Sequence, residues 1–178
     1  MEANIQQKQF EYFELYELSI SLKVDKSIVE EKYYGLSKKF HPDNFSLNDA
    51  EMQASSLEKS SAINMAKKIL MNAYKRLAYI LKENKTIIQD EKYALSPAFL
   101  GEMMDINEQL MELEFEENED VKAQIINDLK EIEHNLFKKV SFLFEQETLD
   151  MNSENCNLLK DYYYKKKYID RIKEKLEV

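Results

Sequence analysis

Pro42 and Pro97 are the only prolines in this chain of 178 residues, and Gly35 and Gly101 are its only glycines. That scarcity constrains the fold more than any other feature. A sheet protein of this size needs many tight turns, and tight turns draw on glycine and proline. Long helices with few connections need neither. The fold class read from this is all-α. A hydrophobic share of 44% supplies a core and a charged share of 33% a solvated surface. At about 150 residues per domain, the length allows one domain or two small ones.

Apolar spacing places the helices. An aromatic segment, Phe10 to Leu18, reads as a short opening helix. Ser27 and Glu30 form a capping box, with Asp25 a competing cap. Val29, Tyr33, Leu36 and Phe40 then recur at steps of four, three and four, one face of a helix. Gly35 inside it costs about 1 kcal/mol relative to alanine. Pro42 ends it, because the residue before a proline is pushed out of the α region. A long helix is expected from about Ala50 to Lys82, with Ile63, Ala66, Leu70, Ala73, Leu77 and Ile80 or Leu81 inward. Residues 85–95 read as a polar linker. Ser96-Pro97 is a strong helix start, and that helix runs to about Phe115. Another runs from Asn118 or Asp120 to about Glu147, with Val121, Ile125, Leu129, Ile132, Leu136 and Leu143 inward. The last spans about Ser153 to Leu176, with Tyr162, Ile169, Ile172 and Leu176 at heptad-like spacing.

Several function classes are disfavoured. The net charge is −9, whereas nucleic-acid binding needs a basic footprint. Tyrosines and lysines interleave in Tyr162-Tyr-Tyr-Lys-Lys-Lys-Tyr168, but a helix with tyrosines inward and lysines in water accounts for that. A single cysteine, Cys156, permits no internal disulfide and fits a reducing cytoplasm. Residues 1–9 carry one lysine and no apolar run, so neither signal nor transit peptide is expected. No eighteen-residue apolar stretch is present, so no membrane span is expected. His41, His134 and Cys156 share no metal-ligand spacing, so no metal and no cofactor is expected, with His134 a solvated surface residue. No nucleophile elbow, phosphate loop or acid pair accompanies His41 and Asp43, so no catalytic residue is assigned and enzyme function is not expected.

The loop after Phe40 is the first specific signal. Pro42 forces a sharp helix exit and leaves His41 and Asp43 on an exposed loop, where a carboxylate invites an arginine from outside. The tripeptide His41-Pro42-Asp43 lies between two antiparallel helices, with the aromatic helix before it and Ser61-Ala-Ile-Asn64, Ala66 and Leu70 after it. With these features, Phe10 to Leu81 resembles a J-domain. The resemblance implies docking on a DnaK-type ATPase and stimulation of its hydrolysis, through His41, Pro42 and Asp43 with positive contacts from Lys32, Lys38 and Lys39. The alternative is a plain helix–loop–helix turn in which His41 caps.

His-Pro-Asp-Asn-Phe45, Ala62-Ile-Asn64, Arg76-Leu-Ala-Tyr-Ile-Leu81 and Ala98-Phe-Leu100 extend the match to the HscB family of iron–sulfur co-chaperones. That resemblance implies an L-shaped molecule with a J-domain at 10–84, a linker at 85–95 and a client-binding three-helix bundle at 96–178. It implies a DnaK/HscA-type chaperone and an IscU-type scaffold as partners, and a cytoplasmic site of action. Asn44 departs from the family, which usually has lysine there.

The helix after Pro97 carries two apolar stripes. Phe99, Met103, Ile106, Leu110 and Leu113 form a bundle seam. Leu100, Met104 and Met111 form a second stripe, bordered by Asp105, Glu108 and Glu112. Exposed apolar residues rimmed by acids mark a partner surface, and methionine suits adaptable contacts. The alternative is that this stripe packs on the J-domain or near Ile87 and Ile88. The family resemblance carries scaffold binding onto Leu100, Met104, Asp105, Glu108 and Glu112. It adds an aromatic of the last helix, with Tyr162 the nearest match and Tyr163 or Tyr164 possible. Gly101 departs from the pattern, where an apolar side chain is usual. Two other readings stay open: a J-domain co-chaperone with a different client, and a structural helical interaction protein.

Overall fold

The computed structural model describes residues 10–41, 43, 50–115 and 118–176, and every regular element among them is helical. The elements are α1 (Glu11–Leu15), α2 (Lys26–Lys39), α3 (Ala50–Leu70), α4 (Ala73–Glu83), α5 (Pro97–Phe115), α6 (Glu119–Lys138) and α7 (Ser153–Lys175), with a 3-10 turn at Ser141–Glu145. The chain forms two compact units, Met1–Thr86 with Leu143–Asp150, and Ile87–Phe142 with Met151–Val178. This division differs from the expected boundaries in two places. Residues 143–150 join the first unit, and most of the expected linker joins the second.

In the first unit α1 is held by its aromatics. Phe13 and Tyr16 are buried, and the Tyr16 hydroxyl donates to the Ile63 carbonyl at 2.9 Å. Burial pushes that hydroxyl up to about 12. Tyr12 stacks on Tyr79 of α4 with ring centroids 4.7 Å apart, and its amide donates to the Tyr79 oxygen at 3.1 Å. Asp25, not Ser27, caps α2: its carboxylate accepts from the Ser27 amide at 2.8 Å and the Ser27 hydroxyl at 2.6 Å. Those two hydrogen bonds favour the charged form and hold the Asp25 carboxyl below its usual range.

The expected single helix from Ala50 to Lys82 is two helices. Asn72 is extended (φ −116, ψ 116) and caps α4, its side chain accepting from the Lys75 amide at 2.9 Å. Asparagine offers the backbone this alternative to helix continuation. Arg76 secures the break. It is 5% exposed, and it donates through Nη2 to the Leu22 carbonyl at 2.6 Å and through Nη1 to the Leu70 carbonyl. The second bond places a cation on the last carbonyls of α3, where the helix dipole welcomes it. Nε has no hydrogen-bond partner. Burial brings the guanidinium down to about 10, so it stays charged at neutral pH. Residues 143–150 close the unit: the Leu149 amide donates to the Ile20 carbonyl at 2.8 Å, and the Ser21 hydroxyl to the Gln146 carbonyl at 2.6 Å.

The second unit is built on α5, α6 and α7. Its core joins Phe99, Met103 and Ile106 with Ile125, Leu129 and Leu136 and with Ile169, Ile172 and Leu176. Pro97 opens α5 and the Asn118 side chain caps α6, as the sequence indicates. However, α6 stops at Lys138, short of Glu147. The Lys139 and Val140 amides bond to carbonyls three residues back, and the chain tightens into the 3-10 turn. Leu143 is therefore buried in the first unit and not on α6.

The expected linker is partly ordered within the second unit. Glu91 pairs with Lys160 at 2.5 Å and accepts from the Tyr164 hydroxyl at 3.0 Å. Tyr93 stacks on Tyr164 at 4.6 Å and donates to Asp161 at 3.1 Å.

Candidate functional site

Two surfaces carry the residues singled out from the sequence. The first is the corner after α2. The Phe40 amide closes the last turn onto the Leu36 carbonyl at 2.9 Å, and the chain then leaves the helix. The His41 and Asp43 side chains are 57% and 87% exposed, as presentation to a partner requires. The Asp43 amide donates to His41 Nδ1 at 3.3 Å. Asp43 Oδ2 lies 3.5 Å from the same nitrogen, so the carboxylate stays beside the ring but open to water. Pro42, like Asn44 and Phe45, lies outside the described residues.

The three expected lysines differ in their surroundings. Lys32 is partly buried and pairs with Glu17 at 3.1 Å. Lys38 and Lys39 are exposed, and Lys39 Nζ sits 5.3 Å from the Phe40 ring centre. Lys59 of α3, which the sequence reading did not pick out, sits 5.1 Å from the same ring. Only the antiparallel packing of α2 and α3 brings it there.

The second surface is on α5. Phe99, Met103 and Ile106 are buried at 3%, 0% and 3% exposed, whereas Leu100, Met104 and Met111 are 44%, 62% and 60% exposed. Helical spacing lays Leu100, Met104 and Met111 in one row, and Asp105, Glu108 and Glu112 in the next. These three acids are exposed and have no ion-pair partner among the described residues. Like charges three and four positions apart each cost a helix about 0.2–0.5 kcal/mol. At Gly101, an added Cβ would meet no atom within 4 Å.

Tyr162 packs on the core cluster that α5, α6 and α7 share. It packs beside Phe137 of α6 with ring centres 6.2 Å apart, and burial raises its hydroxyl above its usual range. Tyr163 and Tyr164 pack edge-on to each other at 5.2 Å. Tyr168 of α7 meets α5 directly. Its ring meets the Phe99 ring edge-on at 5.9 Å, and its hydroxyl lies 3.3 Å from Asn107 Nδ2. Asn107 stands between the buried seam and the exposed row, so Tyr168 borders the apolar stripe. A period-based reading cannot see this, because all four tyrosines sit on a helix that is largely half-buried.

His134 is exposed. Among the described residues no group of three metal-ligating side chains gathers, and no helix is long and apolar enough to cross a membrane.

The fold and these two surfaces define an all-helical protein of two units, one presenting an imidazole–carboxylate corner and the other an exposed apolar row beside acids. A family model described as the HSCB C-terminal oligomerisation domain matches residues 95–177. The HscB homolog of Vibrio campbellii is 30% identical over 175 residues, covering 94% of this chain and 95% of the relative. That of Haemophilus ducreyi is 28% identical over 171 residues, covering 92% and 96%. The human co-chaperone HscB crystal structure superposes with a TM-score of 0.76 at 28% identity, over 98% of this chain and 83% of that one. HscB from Vibrio cholerae shares the fold, with a TM-score of 0.69 at 23% identity over 93% and 94%. The chain belongs to the HscB co-chaperone family.

Proposed function

We propose that this protein is an adaptor without catalysis of its own, acting in the cytoplasm in iron–sulfur cluster assembly. Its J-domain, residues 10–84, docks on a DnaK/HscA-type chaperone through the His41–Pro42–Asp43 corner, with Lys38 and Lys39 adding positive charge. Its bundle, residues 96–178, holds an IscU-type scaffold on the α5 row of Leu100, Met104, Asp105, Glu108 and Glu112. Hydrolysis of ATP happens on the chaperone. The role of this chain is to bring client and ATPase together and to accelerate the hydrolysis.

The observation that carries this reading is the second row of α5. Apolar side chains about half exposed or more, beside a file of carboxylates with no ion pair among the described residues, cost stability in the isolated protein and gain meaning against a basic, apolar partner. The Tyr168 hydroxyl, 3.3 Å from Asn107, supports extending that surface onto α7 alongside Tyr162. Lys32 contributes less to chaperone docking, because Glu17 already engages it.

The test is steady-state ATP turnover by a DnaK-type chaperone. The native protein is expected to accelerate it and a His41→Gln variant to lose the effect; equal acceleration by both defeats the reading. Gly101 favours a second reading, a J-domain co-chaperone with a different client, because it removes an apolar contact beside Leu100 at the head of the acidic row. Calorimetry against an IscU-type scaffold separates the two: no binding supports the different client.

A further inference from the structure

Phe40 is the last fixed point before the corner, and α3 grips it. Its carbonyl accepts a hydrogen bond from the Ser56 hydroxyl at 2.9 Å. Ser56 is only 2% exposed, so its hydroxyl has little water to turn to, and it meets a carbonyl that the end of α2 leaves without an intrahelical partner. The Phe40 ring has the Lys39 and Lys59 ammonium groups at 5.3 and 5.1 Å, close enough for cation–π attraction. Carbonyl and ring together fix the plane in which the chain departs into His41.

We propose that Ser56 is a positioning residue for the His41–Asp43 corner, acting through the Phe40 carbonyl. The proposal rests on the chaperone-docking reading above. A proline can stop a helix, but it does not set where the stopped end points relative to α3; the Ser56 bond does. Without it the last turn of α2 frays, and the corner samples directions that do not fit the chaperone. Apparent affinity then falls by the fraction of molecules still competent. Maximal stimulation is unchanged, because a corner that does dock is chemically the same.

The test compares Ser56→Ala, Ser56→Thr and native protein in chaperone ATPase titrations, with backbone amide exchange at Phe40 measured alongside. Ser56→Ala is expected to raise the half-maximal concentration about fivefold, the scale of one lost buried hydrogen bond. It is expected to leave the plateau unchanged and to speed exchange at Phe40. Ser56→Thr, which keeps the hydroxyl, is expected to restore both. A general loss of stability would move neither the half-maximal concentration nor the Phe40 amide selectively at a temperature well below unfolding. An unchanged half-maximal concentration in Ser56→Ala overturns the proposal, whether or not exchange quickens. Should the native protein give no stimulation, the docking reading fails instead, and Phe40 exchange alone decides whether Ser56 orders the corner.

Discussion

Helices α5 and α7 belong to the same unit and both carry dense charge, yet they use it in opposite ways. On α7, Lys160 pairs with Glu91 and Lys165 with Asp161, while Lys166 bridges Glu133 and Asp170 and Lys173 also reaches Glu133. On α5, Glu102, Asp105, Glu108 and Glu112 are exposed, and none has an ion pair among the described residues. Charge neutralised inside the unit ties α7 to its neighbours. Charge left without a partner repels itself along α5 and is available to another molecule. The stability of this bundle draws on the paired charge of α7, and the recognition proposed for it draws on the unpaired charge of α5.

Four changes break or sharpen that contrast. The largest effect is expected from Leu100→Ala combined with Met104→Ala. Scaffold affinity measured by calorimetry should fall more than about thirtyfold, the factor for losing 2 kcal/mol of hot-spot contact. The thermal midpoint should barely move, since both side chains are exposed in the free protein. Retained affinity would place recognition elsewhere.

Glu133→Gln should do the reverse, lowering the unfolding free energy in urea by about 1–2 kcal/mol through lost charge-assisted bonds while leaving scaffold affinity intact. It also carries a pH signature. Burial pushes the Glu133 carboxyl up, but hydrogen bonds from Lys173 and Lys166 outweigh it and hold the carboxyl below its usual value. A group with a depressed folded value stabilises the fold above its unfolded value, and that stabilisation is lost as pH falls through the folded value. The gap between native and variant should therefore be full at neutral pH and close in acid. A pH-independent gap would show that the carboxylate's charge is not what matters.

Gly101→Ala should stabilise the bundle by about 0.5–1 kcal/mol in urea, because the position is helical and the new Cβ meets open space. A loss of stability there would mean that the row is tighter than its geometry indicates. The smallest effect is expected from Asp105→Asn with Glu108→Gln. Relief of like-charge contacts should add about 0.2–0.5 kcal/mol to stability. The salt dependence of scaffold affinity should also weaken, whereas an unchanged salt slope would remove the acids from the interface.

Much of the fold was legible because it rests on local rules. Pro97 and Asn118 mark helix starts by first-turn and capping chemistry, and the steps among Phe99, Met103 and Ile106 mark a buried face. Three features were not legible. The break at Asn72 depends on Arg76 reaching Leu70 and Leu22, a contact 54 residues apart in sequence on its longer arm. The early end of α6 comes where the Lys139 and Val140 amides bond three residues back, ahead of a Leu143 that groups with the first unit. Lys165, which charge alone places in water, is 9% exposed, with its ammonium 5.7 Å from the Phe99 ring and bound to Asp161. The candidate site divides the same way. The exposed row of α5 follows from helical period, but Tyr168, Lys59 and Ser56 come forward only when helices distant in sequence are packed together.

By itself the sequence determined that this chain is helical, where most helices begin, which stripe of α5 is buried and that a proline-marked corner carries an imidazole and a carboxylate. These follow from backbone sterics, capping and periodicity, all of which act within a few residues. Tertiary structure alone decided which lysines are neutralised, which tyrosine borders the apolar row and what holds Phe40 ahead of the corner. Hydrogen bonds, ion pairs and ring contacts act over a few ångströms of space, and residues far apart along the chain meet at that range only once the helices have packed.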